Sequence, residues 1–172
     1  MSRYRPPPAP GSPHITAQGA ARLRDELQQL WKVERPQVTA AVNAAAKNGD
    51  RSENGGYIYG KRRLREIDRK VRYLSKRLEV LIVVKQLPTD QNRVYFGAWI
   101  TVADDDGGQA TYRIVGSDEI NPALGYISVD SPMAKALLGK TCKDSFELWL
   151  GNKKHFRFIE SVRYKSPNQI DD

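Results

Sequence analysis

Cysteine is almost absent from this chain. Cys142 stands alone among 172 residues, which excludes a disulfide framework and a cysteine-based zinc site. Histidine is nearly as scarce: His14 and His155 are too few and too isolated for a metal cluster, and each is read as a surface or packing residue. No stretch approaches the roughly 20 apolar residues of a membrane span. Arg3 and Arg5 are followed by no apolar core of the kind a secretory signal carries, so a cytoplasmic, reducing location is the expectation. Negative charge is in deficit as well. Twenty-eight Lys and Arg against 20 Asp and Glu give a net charge of +8. Such an excess favours a polyanionic partner, either nucleic acid or an acidic protein groove, and charge alone does not choose between them.

The chain is long enough for one ordinary domain, or for two small ones if one is a helical hairpin. Residues 1–13 hold five prolines among small and basic residues and read as a flexible tail. Thr16 is placed to cap a helix whose apolar residues Leu23, Leu27, Leu30 and Trp31 share one face. Pro36 removes a backbone donor, so the helix should kink or restart near Glu34 and Arg35 and continue with Val38, Val42 and Ala45 inward. Asn48-Gly49 signals a helix C-terminus.

Leu64, Ile67, Val71, Leu74, Leu78 and Leu81 then follow one another with alternating gaps of three and four residues. This heptad seam demands a partner helix, and the preceding helix is the available one, which makes an antiparallel coiled-coil hairpin. Past Gln86–Asp90 the period changes to two. Strands are expected at 94–102, 111–115, 126–129, 146–150 and 156–162, with a hairpin loop at Asp104–Gly108 and a short helix capped by Ser131 with Pro132 at its first turn. The fold class is α+β: an N-terminal helical hairpin over 14–87, a small antiparallel β domain with one short helix over 89–165, and a tail at 166–172.

Between the two helical patterns lies Gly49-Asp50-Arg51-Ser52-Glu53-Asn54, with no apolar side chain until Tyr57. It reads as an exposed tip. Two readings of its acids stay open. Asp50 and Glu53 can serve the turn, with Asn54 capping the second helix. Alternatively, two hard oxygen ligands can form half of a Mg²⁺ or Mn²⁺ site, too few for a full octahedral shell and completed by a partner. Downstream, the run from Lys61 to Arg77 carries nine cations against Glu66 and Asp68. Phosphate contact, above all by Lys61, Arg62 and Arg65, stands beside a plain solvated face. Tyr57 and Tyr59 can stack on an unpaired base or pack across the hairpin.

The strings GDRSEN at 49–54, ERP at 34–36, KRRLREIDRKVRYL at 61–74, FGAWITV, YRIVGSDEI and YISVDSPMAKALLGK resemble the GreA/GreB family of bacterial transcript cleavage factors, in its GreB type, over roughly residues 14–165. The resemblance implies a coiled coil inserted into the RNA polymerase secondary channel and an FKBP-like C-terminal domain at its entrance. Asp50 and Glu53 would help hold a Mg²⁺ shared with the polymerase, which then cleaves the backtracked RNA at its 3′ end. Lys61, Arg62, Arg65 and Arg69 match the basic patch that contacts this RNA, and Asp130, Ser131 and Pro132 match the polymerase-docking loop. The expected protein is a monomer, without membrane contact, and an activator of the polymerase's endonuclease, itself no enzyme. Gly55, Gly56, Gly60 and the segment 141–158 depart from the family pattern, so the start of the second helix is expected to fray. A channel-binding regulator without cleavage activity is the alternative; a peptidyl-prolyl isomerase is suggested by the implied fold alone.

Overall fold

The computed structural model describes residues 11–47, 54–104, 107–150 and 153–164. It divides into two compact units, Gln18–Leu81 and the remainder from either side of it. The expected boundaries, 14–87 and 89–165, are drawn differently here: residues 14–17 and 82–87 group with the globular unit. No helix among the described residues is long and apolar enough to cross a membrane.

The first unit is a helical hairpin. Helix α1 (Ala17–Gln28) runs into a π-helical segment (Gln29–Glu34) and then into α2 (Arg35–Ala46), while α3 (Gly55–Val80) returns. At 26 residues α3 is about 39 Å long. The helices are antiparallel, because the cross-helix contacts descend one helix as they climb the other: Asn54 to Ala45, Asp68 to Arg35, Lys70 to Glu26. Ile67 and Leu74, one heptad apart in the expected seam, are buried side chains of α3, and Leu23 of α1 and Val42 of α2 are buried as well. Each such burial stabilises the hairpin by about 1.5–3 kcal/mol.

Pro36 does not break the chain of helical turns. It sits in the first turn of α2, and the turn before it widens so that the Arg35 N–H donates to the Leu30 carbonyl, five residues back. A π turn rotates what lies inside it relative to a 3.6-residue face. Trp31, expected inward, is therefore 52% exposed, with the Arg35 guanidinium stacked 5.1 Å from its ring centre.

The second unit is built on a five-stranded sheet, β3 (Trp99–Asp104), β4 (Gln109–Val115), β5 (Tyr126–Ser128), β6 (Ser145–Leu150) and β7 (Lys153–Arg163), in the order β5-β4-β3-β7-β6. Alternate residues Ile100, Val102, Ile114, Phe146, Leu148 and Ile159 point into a core covered by Ala134 and Leu137 of α4 (Pro132–Leu137). Three neighbouring pairs are antiparallel, but β5 runs parallel to β4, so the expectation of an all-antiparallel sheet is corrected at that edge. The expected strand 94–102 begins only at Trp99. Gly97, at φ 87°, turns the chain, and Val94 instead donates to the Lys140 carbonyl. The Asp104 turn is as read: its carboxylate accepts from the Gly108 N–H at 2.6 Å; Asp105 and Asp106 lie outside the described residues.

A two-stranded parallel sheet was not expected. β1 (His14–Thr16) pairs with β2 (Ile82–Val84). Its anchor is Glu119, only 4% exposed, whose carboxylate accepts from the N–H groups of Thr16 and Gly116, both at 3.0 Å, and from the Thr16 hydroxyl. The hydroxyl expected to cap α1 thus engages a buried carboxylate 103 residues away.

Candidate functional site

Among the described residues, the Asn54 side chain ties the two helices together at the hairpin end. Asn54, extended at φ −82° and ψ 99°, accepts the Tyr57 N–H at 3.2 Å and so caps α3, while its amide donates to the Ala45 carbonyl in the last turn of α2 at 2.8 Å. The N-cap role is as read from the sequence; the bond across to α2 is not legible in it. Asp50 and Glu53 belong to the segment joining α2 to α3 and lie outside the described residues, as does Gly49. The described part of the end shows no fraying: α3 is helical from Gly55. Gly60 is buried where a Cβ would collide with Val42 Cγ2, so its lack of a side chain lets the two helices approach.

Along α3 the cations divide into two sets. Arg63 Nε donates to Glu34 at 2.7 Å and Arg63 Nη1 to Glu66 at 3.2 Å; Arg62 reaches Glu66 at 3.3 Å and Lys70 reaches Glu26 at 3.1 Å. These bonds raise the Arg63 pKa and, through Arg63 first and then Arg62, hold the Glu66 carboxyl below its ordinary value. The ERP string is thereby explained as a strut, with Glu34 on Arg63, Arg35 on Asp68 at 2.8 Å, and Pro36 opening α2.

The second set is exposed. Arg65, Arg69, Arg72 and Lys76, with Tyr73, line an open groove of about 430 Å³. With Lys61 one turn before Arg65, this stripe spans about 22 Å of helix. Of the four expected RNA-contacting residues, the structure brings Arg65 and Arg69 together in the groove, leaves Lys61 exposed at its tipward end, and pairs Arg62 with Glu66. Tyr73, 53% exposed between the arginines, was missed, although helical spacing places it one turn from Arg69. Tyr59 is 72% exposed and Tyr57 half-buried.

On the globular unit, Asp130, Ser131 and Pro132 form the turn into α4. The Ser131 hydroxyl accepts the Ala134 N–H at 3.1 Å, Pro132 occupies the first turn and is exposed, and the exposed Asp130 accepts the Ser12 N–H at 2.8 Å. Among the described residues no group of three or more His, Cys, Asp or Glu could hold a metal ion.

A long antiparallel helical hairpin and a sheet unit carrying one short helix make this a two-unit α+β protein; the class to which it belongs is given by the family models. The family model described as transcription elongation factor, N-terminal, matches residues 14–83, and that described as transcription elongation factor GreA/GreB, C-terminal, matches 88–164. The chain belongs to the GreA/GreB family of transcription elongation factors. Its relatives include the transcription elongation factor GreB of Pseudomonas aeruginosa, 64% identical over 140 residues, 81% of this chain and 83% of that one. Another is GreB of Xanthomonas axonopodis pv. citri, 52% identical over 167 residues, 96% of this chain and 99% of that one. Among solved structures, the GreA/GreB elongation factor from Nitrosomonas europaea is 18% identical, with a TM-score of 0.40 over 88% of this chain and 98% of its own.

Proposed function

We propose that this elongation factor inserts its hairpin into the secondary channel of bacterial RNA polymerase and stimulates the polymerase's own cleavage of backtracked RNA. The observation that carries this reading is the Asn54 clasp. It closes two antiparallel helices within a few residues and fixes the chain on both sides of a segment that holds Asp50 and Glu53 and little that is apolar. A slender arm that ends in two carboxylates offers hard oxygen ligands, suited in kind to Mg²⁺ and too few to bind it alone. Bound between the tip and the polymerase, such an ion would supply Lewis acidity and a lowered pKa for an attacking water.

The chain's own contribution is positional. Asp50 and Glu53 would help to hold the ion, whose chemistry activates a water; Lys61, Arg62, Arg65 and Arg69 meet the phosphates of the extruded RNA 3′ segment; Asp130, Ser131 and Pro132 dock the globular unit at the channel rim. The factor acts as a monomer and as an activator, not as a free-standing enzyme, in the cytoplasm where the polymerase works. The test is loss of label from a stalled elongation complex with 3′-labelled RNA. Asp50→Asn and Glu53→Gln should each abolish the acceleration while leaving polymerase affinity near that of the unaltered chain, since neither position belongs to the heptad pattern of the sequence. Undiminished cleavage by the double variant would refute the proposal.

A further inference from the structure

We infer that the segment Gly11–Ser12 is part of the polymerase-docking surface, setting the Asp130 carboxylate for a cationic side chain of the partner. The inference rests on the reading of Asp130–Pro132 as the docking loop. Asp130 is exposed, and its Oδ2 is taken by the Ser12 N–H at 2.8 Å from a residue 118 positions away. Its own N–H donates to Ser128 Oγ at 3.1 Å, which fixes the backbone of the loop. One carboxylate oxygen held by a neutral backbone donor leaves the charge uncompensated and the rotamer set, the state in which the group best receives an arginine or lysine.

The segment that supplies this donor is itself seated. A Cβ at Gly11 would lie 2.5 Å from Ser117 Oγ and 3.3 Å from Asp130 Oδ2, so only glycine fits between the two turns. Ser12 Oγ lies 3.0 Å from His14 Nδ1, and His14 packs its ring 6.0 Å from that of Phe96. Thr16 then enters the Glu119 clamp at 3.0 Å. These anchors run in sequence along residues 11–16, so the Ser12 donor arrives at the loop as a consequence of the fold. In this role Ser12 is a positioning residue, acting through Asp130.

The experiment is direct binding of the full chain to cognate polymerase, read apart from cleavage. Asp130→Ala should weaken binding; if it does not, the docking-loop reading fails and this inference with it. Ser12→Pro, which removes the N–H, should weaken binding about five- to tenfold, whereas Ser12→Ala, which keeps the N–H and loses only the hydroxyl contact with His14, should weaken it less. In the Asp130→Ala background Ser12→Pro should add nothing, because both changes remove one coupled element. Gly11→Val, which blocks the seat, serves as the second variant should Ser12→Pro fold poorly, and the same loss is expected. Parental affinity in both Ser12→Pro and Gly11→Val, or a Ser12→Pro loss that adds fully to that of Asp130→Ala, would overturn the inference while leaving the docking loop standing.

Discussion

Gly60 shows how a single residue resists a propensity argument. Glycine inside a helix costs about 1 kcal/mol relative to alanine, which makes Gly60→Ala look favourable. Yet a Cβ there meets Val42, whose branched side chain is stiff at χ1. Overpacking of this kind costs about 1–3 kcal/mol. Gly60→Ala is therefore expected to lower hairpin stability by about 1 kcal/mol net, and Gly60→Ala with Val42→Ala to recover part of the loss by making room. Chemical denaturation of the two variants checks both. Glu66 gives a second expectation at this scale. Its folded-state pKa is depressed by Arg63 and Arg62, so its contribution is present above the ordinary carboxylate value and lost as pH falls through the lower folded value. Asp144, held low by the backbone and then the side chain of Thr141, has the same sign in the other unit. Protection of the α3 amides, relative to their intrinsic exchange rates at each pH, should fall as pH drops below the ordinary carboxylate range, and Glu66→Gln should flatten that dependence. Equal pH profiles would show that the pair contributes nothing.

At the scale of elements, what the sequence revealed was what is local or strictly periodic. The heptad seam placed Ile67 and Leu74, and the Ser131-Pro132 pair marked the start of α4, because caps and repeats act over a few residues. Trp31 was misplaced because a hydrophobic face drawn at constant period cannot include the widened turn before Pro36. The parallel edge strand β5 and the β1–β2 pair were missed for a different reason: strand direction and partner depend on residues far away in sequence. The key to the second, Glu119, lies in the YRIVGSDEI string without a local signal of its burial. Removing its carboxylate leaves the Thr16 and Gly116 N–H groups buried without an acceptor. Glu119→Ala should lower the stability of the globular unit by about 2–4 kcal/mol, with increased protease access at residues 11–16. A change under half of that would place the anchor of β1 elsewhere.

For the whole molecule, GDRSEN offered the two acids on which the proposal depends, and both lie outside the described residues; the Asn54 bond to Ala45 was visible only once α2 and α3 were together. The basic run was legible as an excess of charge, but which cations are struts depends on Glu26, Glu34 and Glu66 from both helices. Replacing Arg65 and Arg69 by Gln should weaken contact with extruded RNA and reduce its salt dependence by about two phosphate contacts' worth, whereas Arg63→Gln should instead loosen the hairpin. Crosslinking of the RNA 3′ segment to α3 across a salt series separates the two. The measurement that bears most directly on the central claim is the cleavage rate of backtracked complexes at equal polymerase occupancy by the parent chain and by Asp50→Asn/Glu53→Gln. A large acceleration by the parent and none by the bound double variant is the predicted result; equal acceleration by both would contradict it.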